Sequence, residues 1–220
     1  MNYPSLEEQN KIASFLNIIE SKIKILESKI NILKKYKEGL MINAYLKESS
    51  KPMNLSKALA KKEIEIGRGR IIPKQSGQYP VYSSSAQNNG FFCNCPTFDF
   101  NQQLITWSID GGGKPFLRAK HKFSITNVCG YAKILKTYKW TYEWLYINFW
   151  YNWHHEKFDY INKAHPSVIS KLYKIKEANC SEQNKWSMII SSLDKRISNL
   201  TLKSDLLLSV KRELLNDLFI

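Results

Sequence analysis

The chain has no run of 18 apolar residues, and its first residues do not combine a basic segment with an apolar one. These absences remove the usual signals for a membrane span and for secretion, so we expect a cytoplasmic protein with no membrane partner. Cysteine is also scarce: the sequence has four, of which Cys93 and Cys95 are the two that lie close together. Four thiols are too few for a disulfide scaffold in 220 residues, and we expect them to be reduced.

Recognisable catalytic motifs are lacking too. Asn94-Cys95-Pro96-Thr97 is not the Asn-Pro-Pro-aromatic motif of an amino-methyltransferase, and residues 110–114 lack the spacing of a phosphate-binding loop. Cys93 and Cys95 have no second cysteine pair to complete a zinc site, and His154-His155-Glu156 has no third ligand at a suitable spacing. We therefore expect a chain that has no enzymatic activity, no metal and no cofactor of its own.

Acidic residues are few in the middle of the chain, and the net charge of +14 is concentrated there. Residues 51–176 hold 19 Lys and Arg against 7 Asp and Glu, whereas residues 1–50 carry +2 and residues 177–220 carry zero. A charge excess confined to one segment indicates a polyanion partner, because a cation that neutralises a phosphate releases a condensed counterion. Double-stranded DNA is such a partner. The alternative explanation for the basic excess is that the proteins of the source organism are basic in general.

The sequence does contain an internal repeat. Glu8-Gln9-Asn10-Lys11 recurs as Glu182-Gln183-Asn184-Lys185, at an offset of 174 residues, and the same offset holds without a gap to Ile220. Neither copy contains a proline after its Glu-Gln-Asn-Lys sequence, and the one glycine in the two copies is Gly39. A gapless match of this length indicates a duplicated helix.

Apolar residues in both copies alternate steps of three and four, which is the 3.5-residue period of a left-handed coiled coil. Each helix of about 38 residues would be roughly 57 Å long, so its apolar stripe needs a partner. The predicted coiled-coil seam consists of Ile12, Leu16, Ile19, Ile23, Leu26, Ile30, Leu33 and Leu40 in the first copy, and of Trp186, Ile190, Leu193, Ile197, Leu200, Leu207, Leu214 and Leu218 in the second.

The first helix leads into the middle segment and the second leads out of it. If the ends of that segment lie close together, the helices pack against each other as an antiparallel coiled coil. Two ordinary amphipathic helices on a globular core are the alternative. A lysine breaks the seam at the same position in both copies, Lys37 and Lys211, and Ser204 breaks the second copy again. The repeated lysine could fix the register, contact another protein, or extend to water.

Between residues 49 and 177 the pattern changes to short strand-like runs separated by turn residues. The clearest runs are 79–82, 104–107, 123–125 and 128–132. A helix over about 141–152 begins after Thr141 as N-cap, and another follows Pro166. These elements predict an α+β fold: a mixed, mostly β domain over 49–177, flanked by long helices over 1–48 and 178–220.

Five of the six tryptophans lie in this middle domain among basic residues, an arrangement that suits nucleic acid. The cluster of Trp140, Trp144, Trp150 and Trp153 nevertheless favours a core over a base-stacking surface. Gly67-Arg68-Gly69-Arg70 predicts a flexible glycine turn whose arginines reach phosphates or guanine. A solvated turn without a ligand is the alternative.

Together these features resemble the specificity subunit of type I restriction-modification systems, across essentially the full chain. The helices resemble its conserved coiled-coil regions, with the proline-containing entry Pro4-Ser5-Leu6-Glu7-Glu8-Gln9. In the middle domain the matching stretches are Ile66-Gly67-Arg68-Gly69-Arg70-Ile71-Ile72, Tyr79-Pro80-Val81-Tyr82-Ser83-Ser84, Asn88-Asn89-Gly90, Thr106-Trp107-Ser108-Ile109-Asp110-Gly111 and Thr126-Asn127-Val128-Cys129-Gly130.

The resemblance implies a non-catalytic DNA-binding subunit. In this family two target recognition domains each read half of a bipartite target, and the antiparallel helices act as a spacer between them. Two adenine methyltransferase (modification) subunits dock on that spacer and use S-adenosylmethionine, and restriction motor subunits, which use ATP, join for restriction. Both cofactors are thus expected on partner subunits and not on this chain.

The chain departs from the family pattern because it has one recognition domain, in the order helix, domain, helix of a C-terminal half. Its second helix entry lacks the proline, and residues 112–115 differ from the small-residue loop of the family. We expect a half-subunit, which could pair with a second specificity half-subunit or supply its domain by recombination. A coiled-coil interaction protein that does not read DNA and a degenerate fragment are the alternatives.

The residues that we predict to contact DNA combine long cations, which suit the phosphate backbone, with amides and a hydroxyl, which suit base edges. They are Arg68, Arg70, Lys74, Ser84, Asn88, Asn89, Lys114, Arg118, Lys120 and Lys122.

Overall fold

The computed structural model describes residues 5–85, 88–159 and 161–219, with side chains to residue 216. The α-helices in these ranges are α1 (Leu6–Lys47), α2 (Leu55–Ala60), α3 (Tyr142–His155), α4 (Pro166–Leu172) and α5 (Cys180–Phe219). The β-strands are β1 (Met53–Asn54), β2 (Ile64–Arg68), β3 (Tyr79–Tyr82), β4 (Phe91–Cys95), β5 (Phe100–Ser108), β6 (Pro115–Ile125), β7 (Cys129–Ile134) and β8 (Lys174–Ile175). Among the described residues, no helix has the length and apolar character needed to cross a membrane.

The chain forms two compact units, and the division falls inside both long helices. The helical unit contains the described residues up to Leu40 and from Ile189 onward. The mixed unit contains Met41–Met188. The domain limits predicted at residues 48/49 and 177/178 differ from this division and stay predictions.

In the helical unit α1 and α5 run antiparallel. The ion pairs Lys37–Asp194 and Lys211–Glu20 join the helices, and the residue numbers of both pairs add to 231. A residue near the C-terminal end of α1 therefore lies beside a residue near the N-terminal end of α5, and the reverse holds at the other end. Every described residue of the predicted seam is buried or partly buried, whereas the side chain of Leu218 lies outside the described residues, as do Pro4 and Ile220. The predicted antiparallel coiled coil is confirmed.

The residues that interrupt the seam are also enclosed. Ser204 is 5% exposed, and its hydroxymethyl group takes the place that Ile30 occupies in the first copy. Lys37 and Lys211 are partly buried, and each pairs with an acid on the opposite helix. Among the three explanations for the repeated lysine, fixing the register therefore agrees with the contacts.

The mixed unit is built on a six-stranded sheet of order β2-β7-β5-β6-β3-β4. Its neighbouring strands are antiparallel, apart from β3 and β6, which are parallel. Ile105 on β5 pairs with Leu117 on one side and Ala132 on the other, so it lies in the centre and is fully buried. The short strands β1 and β8 form a separate two-stranded sheet. The α+β prediction and the four predicted strand runs are confirmed.

The predicted helices of this unit are present as well. Helix α3 begins after Thr141, whose Oγ1 accepts a hydrogen bond from Trp144 N at 3.3 Å, as an N-cap does. Helix α4 begins at Pro166, which needs no hydrogen-bond acceptor for its nitrogen there. Trp140, Trp144 and Trp150 are buried and Trp153 is partly buried, so the tryptophan cluster is core, as predicted.

Candidate nucleic-acid interface

Three consecutive left-handed residues form the most unusual backbone of the mixed unit. Asn88, Asn89 and Gly90 have φ values of 47°, 52° and 77°. Asparagine and glycine are the residues that adopt this region at least cost, which explains the sequence Asn-Asn-Gly. Gly90 O accepts a hydrogen bond from Ser83 N at 2.8 Å, and both asparagine side chains are exposed. The turn therefore presents two carboxamides to solvent.

Arg118 on β6 lies beneath this turn. Its side chain is almost fully buried, at 3% exposure for the residue. Nη1 donates to Asn89 O at 2.8 Å, Nε donates to Thr106 Oγ1 at 3.0 Å, and the guanidinium lies 3.8 Å from the centroid of the Tyr82 ring. Burial lowers the pKa of Arg118 from its ordinary value. Arg118 was predicted to contact DNA, and that stays a prediction; the partners that the structure describes for its side chain are Asn89, Thr106 and the rings of Tyr82 and Phe116.

A β-bulge explains why Arg118 is buried although Lys120 and Lys122 are exposed. Residues two apart on a strand normally share a face. The register between β5 and β6 shifts by one residue between Gln102 and Leu104, which pairs with Arg118. Such a shift turns the following side chains to the other face of the sheet. The basic residues 118, 120 and 122 therefore do not form one charged row.

Aromatic rings surround two of the other predicted lysines. Lys122 Nζ lies 5.0 Å from the Phe98 ring and 5.6 Å from the Tyr79 ring. Lys114 Nζ lies about 6 Å from each of three rings, those of Phe116, Trp150 and Trp153. Rings at these distances stabilise a cation while leaving it accessible. Sequence reasoning missed the pairing of Lys122 with Phe98 and Tyr79, because these residues come from separate strands and loops.

The Gly-Arg-Gly-Arg segment is not a flexible turn, and that prediction is wrong. Arg68 ends β2 opposite Gly130, and the following residue, Gly69, donates its N–H to Cys129 O at 3.0 Å. A Cβ on Gly69 would lie 2.1 Å from the carbonyl oxygen of Ile125, so the glycine is required for close strand packing. Arg68 is exposed, and Arg70 pairs with Asp99 at 3.0 Å.

The structure brings together four of the predicted residues near Tyr82. Asn88 and Asn89 belong to the turn in which Asn89 O accepts from Arg118 Nη1, and Ser84 follows Ser83, whose N–H donates to Gly90 O. The 108–113 loop adjoins them, since a Cβ on Gly111 would lie 2.3 Å from Ser84 O. For Arg68, Lys74 and Lys120, all exposed, no hydrogen bond or ion pair within the described ranges connects them to this group. Across the same ranges no cluster of three His, Cys, Asp or Glu residues could hold a metal ion.

A second apolar stripe on α1 was not predicted. Phe15, Ile18, Ile25, Ile32 and Tyr36 are each more than half exposed. Ile18, Ile25 and Ile32 recur at intervals of seven, as coiled-coil seam residues do. The second copy has Ser192 and Asn199 where the first has Ile18 and Ile25, and keeps an exposed apolar residue, Leu206, at the position of Ile32, so the full heptad repeat is present on α1 and interrupted on α5. That repeat of seven was the signal in the sequence.

Comparison with curated proteins finds relatives described as type I specificity subunits, although no model of a protein family matches the chain. The N-terminus of one from Mycoplasma pneumoniae is 39% identical over 77 residues, which are 32% of this chain and 41% of the relative. A second from that organism is 26% identical over 140 residues, 61% of this chain and 56% of the relative. The MpnII specificity subunit, also from M. pneumoniae, is 33% identical over 75 residues, 32% of this chain and 23% of the relative.

The chain covers less than two thirds of each of these relatives. Among solved structures, the type I restriction-modification S subunit from M. genitalium matches 98% of this chain and 62% of its own, with a TM-score of 0.69 at 16% identity. The HsdS subunit from Thermoanaerobacter tengcongensis matches 98% of this chain and 59% of its own, with a TM-score of 0.51 at 14% identity. The resemblance predicted from the sequence is confirmed: the relatives of this chain, in sequence and in fold, are type I restriction-modification specificity subunits.

Proposed function

We propose that the chain is a DNA-recognition subunit of a type I restriction-modification complex. It reads one half of a bipartite target through the mixed unit and acts in the cytoplasm without catalysing a reaction itself. The observation that carries the proposal is the basic excess of +12 in residues 51–176, on a domain that lies in sequence between the two coiled-coil helices. The fold match over 98% of the chain to a solved specificity subunit supports it.

The chemistry of the exposed residues agrees with sequence reading. The carboxamides of Asn88 and Asn89 each carry a donor and an acceptor, the pair that matches the edge of adenine in the major groove. Exposed Arg68, Lys120 and Lys122 provide charge for the phosphate backbone. Direct base contacts and backbone contacts are both required, because phosphate contacts alone carry no sequence information.

Salt dependence tests DNA binding. With about six phosphate contacts, the affinity for duplex DNA should fall roughly a thousandfold between 50 and 200 mM salt. Replacing Arg68 with Ala should lower the affinity, and the matched control Arg196→Ala, an exposed arginine on α5, should not. A chain that binds no duplex, or binds it with no dependence on salt, would contradict the proposal, and unchanged affinity would remove Arg68 from the interface.

The exposed stripe on α1 supports the docking of modification subunits on the helices. A partner helix with its own apolar face would cover Ile18, Ile25 and Ile32, which are otherwise in contact with water. S-adenosylmethionine and ATP would then be bound by the modification and motor subunits. A second specificity half-subunit would supply the other half of the target.

Pull-down with the cognate methyltransferase subunit tests this docking. Ile18→Ser together with Ile25→Asn should abolish capture, since both replacements are the residues that the second copy of the helix already carries. The matched control is Leu202→Ser on α5, where the first copy has Ser28 and the leucine is also more than half exposed. If the wild-type chain binds salt-dependently to DNA but captures no methyltransferase, it is a fragment that no longer assembles. If it captures a partner but binds no DNA, it is an interaction protein.

A further inference from the structure

We propose that Arg118 is a positioning residue: it holds the Asn88–Gly90 turn from inside the protein, so that the exposed carboxamides are presented to a base pair in one orientation. This inference rests on the proposed function in DNA reading. It also changes the role expected for Arg118 from the sequence, because the guanidinium would act through the turn and would not contact DNA.

Arg118 is buried without a compensating acid among the described residues. Arg118 is 3% exposed, and no carboxylate within the described ranges forms an ion pair with it. A buried cation is costly unless its donors are used. The guanidinium uses Nε on Thr106 and Nη1 on Asn89, and its faces contact the rings of Tyr82 at 3.8 Å and Phe116 at 4.7 Å. Nη2 is buried and has no hydrogen-bond partner among the described residues, so Nε and Nη1 are the donors that tie Arg118 to the strand and to the turn.

Arg118 contacts a stretch of backbone that needs support. Left-handed residues are costly individually, and three in succession persist only where the surroundings define them. Nη1 of Arg118 donates to the carbonyl oxygen of Asn89, the central residue of the three. Nη2 lies below the next residue, since a Cβ on Gly90 would be 3.0 Å from it. Contact with the main chain constrains the turn and leaves both asparagine side chains in solvent.

The residues that support the turn lie on the sheet. Thr106 and Arg118 lie on the adjacent strands β5 and β6, and Thr106 is fully buried. Ser83 donates its N–H to Gly90 O and pairs its hydroxyl with Thr126 Oγ1 at 2.8 Å, so Gly90 has a second contact besides that of Arg118 with Asn89. A turn held by two sets of contacts loses less conformational freedom when it binds a base, which improves selectivity.

The test begins without DNA. Arg118→Lys keeps the charge but cannot donate to Thr106 and Asn89 from one planar group. Amide hydrogen exchange at Ser83, whose N–H is bonded to Gly90 O, should accelerate about tenfold or more in this variant. The control amide is Ile109, bonded to Val128 O, which should not change. Thr106→Val, which removes the acceptor of Nε, is a second variant that keeps the arginine and should produce the same change in smaller measure.

The second stage measures selectivity. A duplex selected by the wild type from a random-sequence pool is compared with a scrambled duplex of the same composition. Arg118→Lys should lower the affinity ratio about tenfold while the slope of log affinity against log salt is unchanged, because no phosphate contact is lost. The reference for loss of base reading is the double variant Asn88→Gly, Asn89→Gly. It removes both side-chain amides, and glycine tolerates the left-handed backbone. Combining it with Arg118→Lys should lower selectivity no further, since both changes act through one turn.

The possible results separate the two proposals. Unchanged exchange at Ser83 in Arg118→Lys would overturn the positioning role, whatever the chain does with DNA. A slope of log affinity against log salt that is smaller by about one in Arg118→Lys would also overturn the positioning role, because that is the effect of losing a phosphate contact. A wild type that selects no sequence from the pool would contradict DNA reading itself, and with it the base-reading part of this inference, even where the exchange at Ser83 changes as expected.

Discussion

Lys37 Nζ lies 2.6 Å from Asp194 Oδ1, and the repeat places the equivalent pair, Lys211 and Glu20, at 3.3 Å. Lys37 corresponds to Lys211 and Glu20 to Asp194 at the offset of 174, so one interaction occurs twice with the helices exchanged. Two equivalent pairs on antiparallel helices are related by a local twofold axis. A shift of one helix along the other would break both pairs together, so these contacts define the register.

Reversing a charge in this pair should destabilise the helical unit. Lys37→Glu places two acids together at a partly buried position and should lower the free energy of unfolding by about 1–2 kcal/mol. Lys37→Glu combined with Asp194→Lys should restore it to within about 0.5 kcal/mol. Urea denaturation of the wild type, the two single variants and the double variant gives the coupling free energy between Lys37 and Asp194. Lys34→Glu, at an exposed position of α1, is the control; an equal loss there would show that overall charge, and not the pair, is responsible.

Two glycines should respond in opposite directions to the same substitution. Gly39 lies within α1 with no atom within 4 Å of an added Cβ, so Gly39→Ala should stabilise by about 0.5–1 kcal/mol through helix propensity. At Gly130 an added Cβ would lie 2.2 Å from Trp107 Cε2, and Trp107 is fully buried. Gly130→Ala should therefore destabilise by about 2–3 kcal/mol. Thermal unfolding measures both, and a stabilising Gly130→Ala would contradict the close approach of β7 to this ring.

The buried carboxylate of Glu63 should make stability depend on pH. Burial raises the pKa of Glu63, but hydrogen bonds from Lys139 at 2.8 Å and Trp140 at 3.2 Å outweigh it, and the net pKa is lowered. A carboxyl group with a lowered pKa stabilises the fold above its ordinary pKa, and this stability is lost as pH falls through the lowered value. The wild type should therefore lose this contribution only in acid.

Lys139→Met should reverse that dependence. Without Lys139 the buried carboxylate of Glu63 loses its ion pair and keeps the hydrogen bond from Trp140, so the variant should lose about 3 kcal/mol near neutral pH. The deficit should shrink toward pH 4, where protonation removes the buried charge. Urea unfolding across pH measures it, with Lys157→Met, at an exposed lysine, as the control. A deficit that is the same at every pH would show that the lysine acts through packing alone.

Two asparagines on α3 should be needed for the attachment of β8. Asn148 Oδ1 accepts from Lys176 N at 2.7 Å, and Asn152 binds both the N–H and the carbonyl of Lys174 at 2.8 Å. Asn152→Leu removes the partner of Lys174 N and leaves Lys174 O with the Tyr45 hydroxyl at 2.9 Å, and it should cost about 1–3 kcal/mol by urea unfolding. Asn162→Leu, at an exposed position, should change stability little. A near-neutral Asn152→Leu would mean that water replaces the lost hydrogen bonds.

Local patterns predicted the elements of this chain well. The 3.5-residue period predicted α1 and α5, and Thr141 predicted the start of α3 to within one residue. In each case the information lies in residues a few positions apart, which contact each other within one helix. The Gly67–Arg70 prediction failed because glycine has two uses: it permits a turn, and it permits the close strand contact that Ile125 makes with Gly69.

The candidate interface was less predictable for a similar reason. A bulge between Gln102 and Leu104 determines which face of β6 Arg118 occupies, and no residue of β6 itself signals it. The contacts of Arg118 with Asn89, Thr106 and Tyr82 span 12 to 36 residues along the chain. Such contacts depend on the pairing of strands.

The sequence by itself determined the two-helix architecture, the basic character of the domain between the helices and the likeness to specificity subunits. These properties follow from periodicity, composition and motifs, which fold into local structure with little dependence on distant parts of the chain. Only the tertiary structure decided that Arg118 supports a turn from within, that Lys37 meets Asp194, and that α1 keeps a second apolar stripe exposed. Each of these three features depends on which surfaces of the folded chain pack against each other. Such packing involves residues that lie far apart in the sequence.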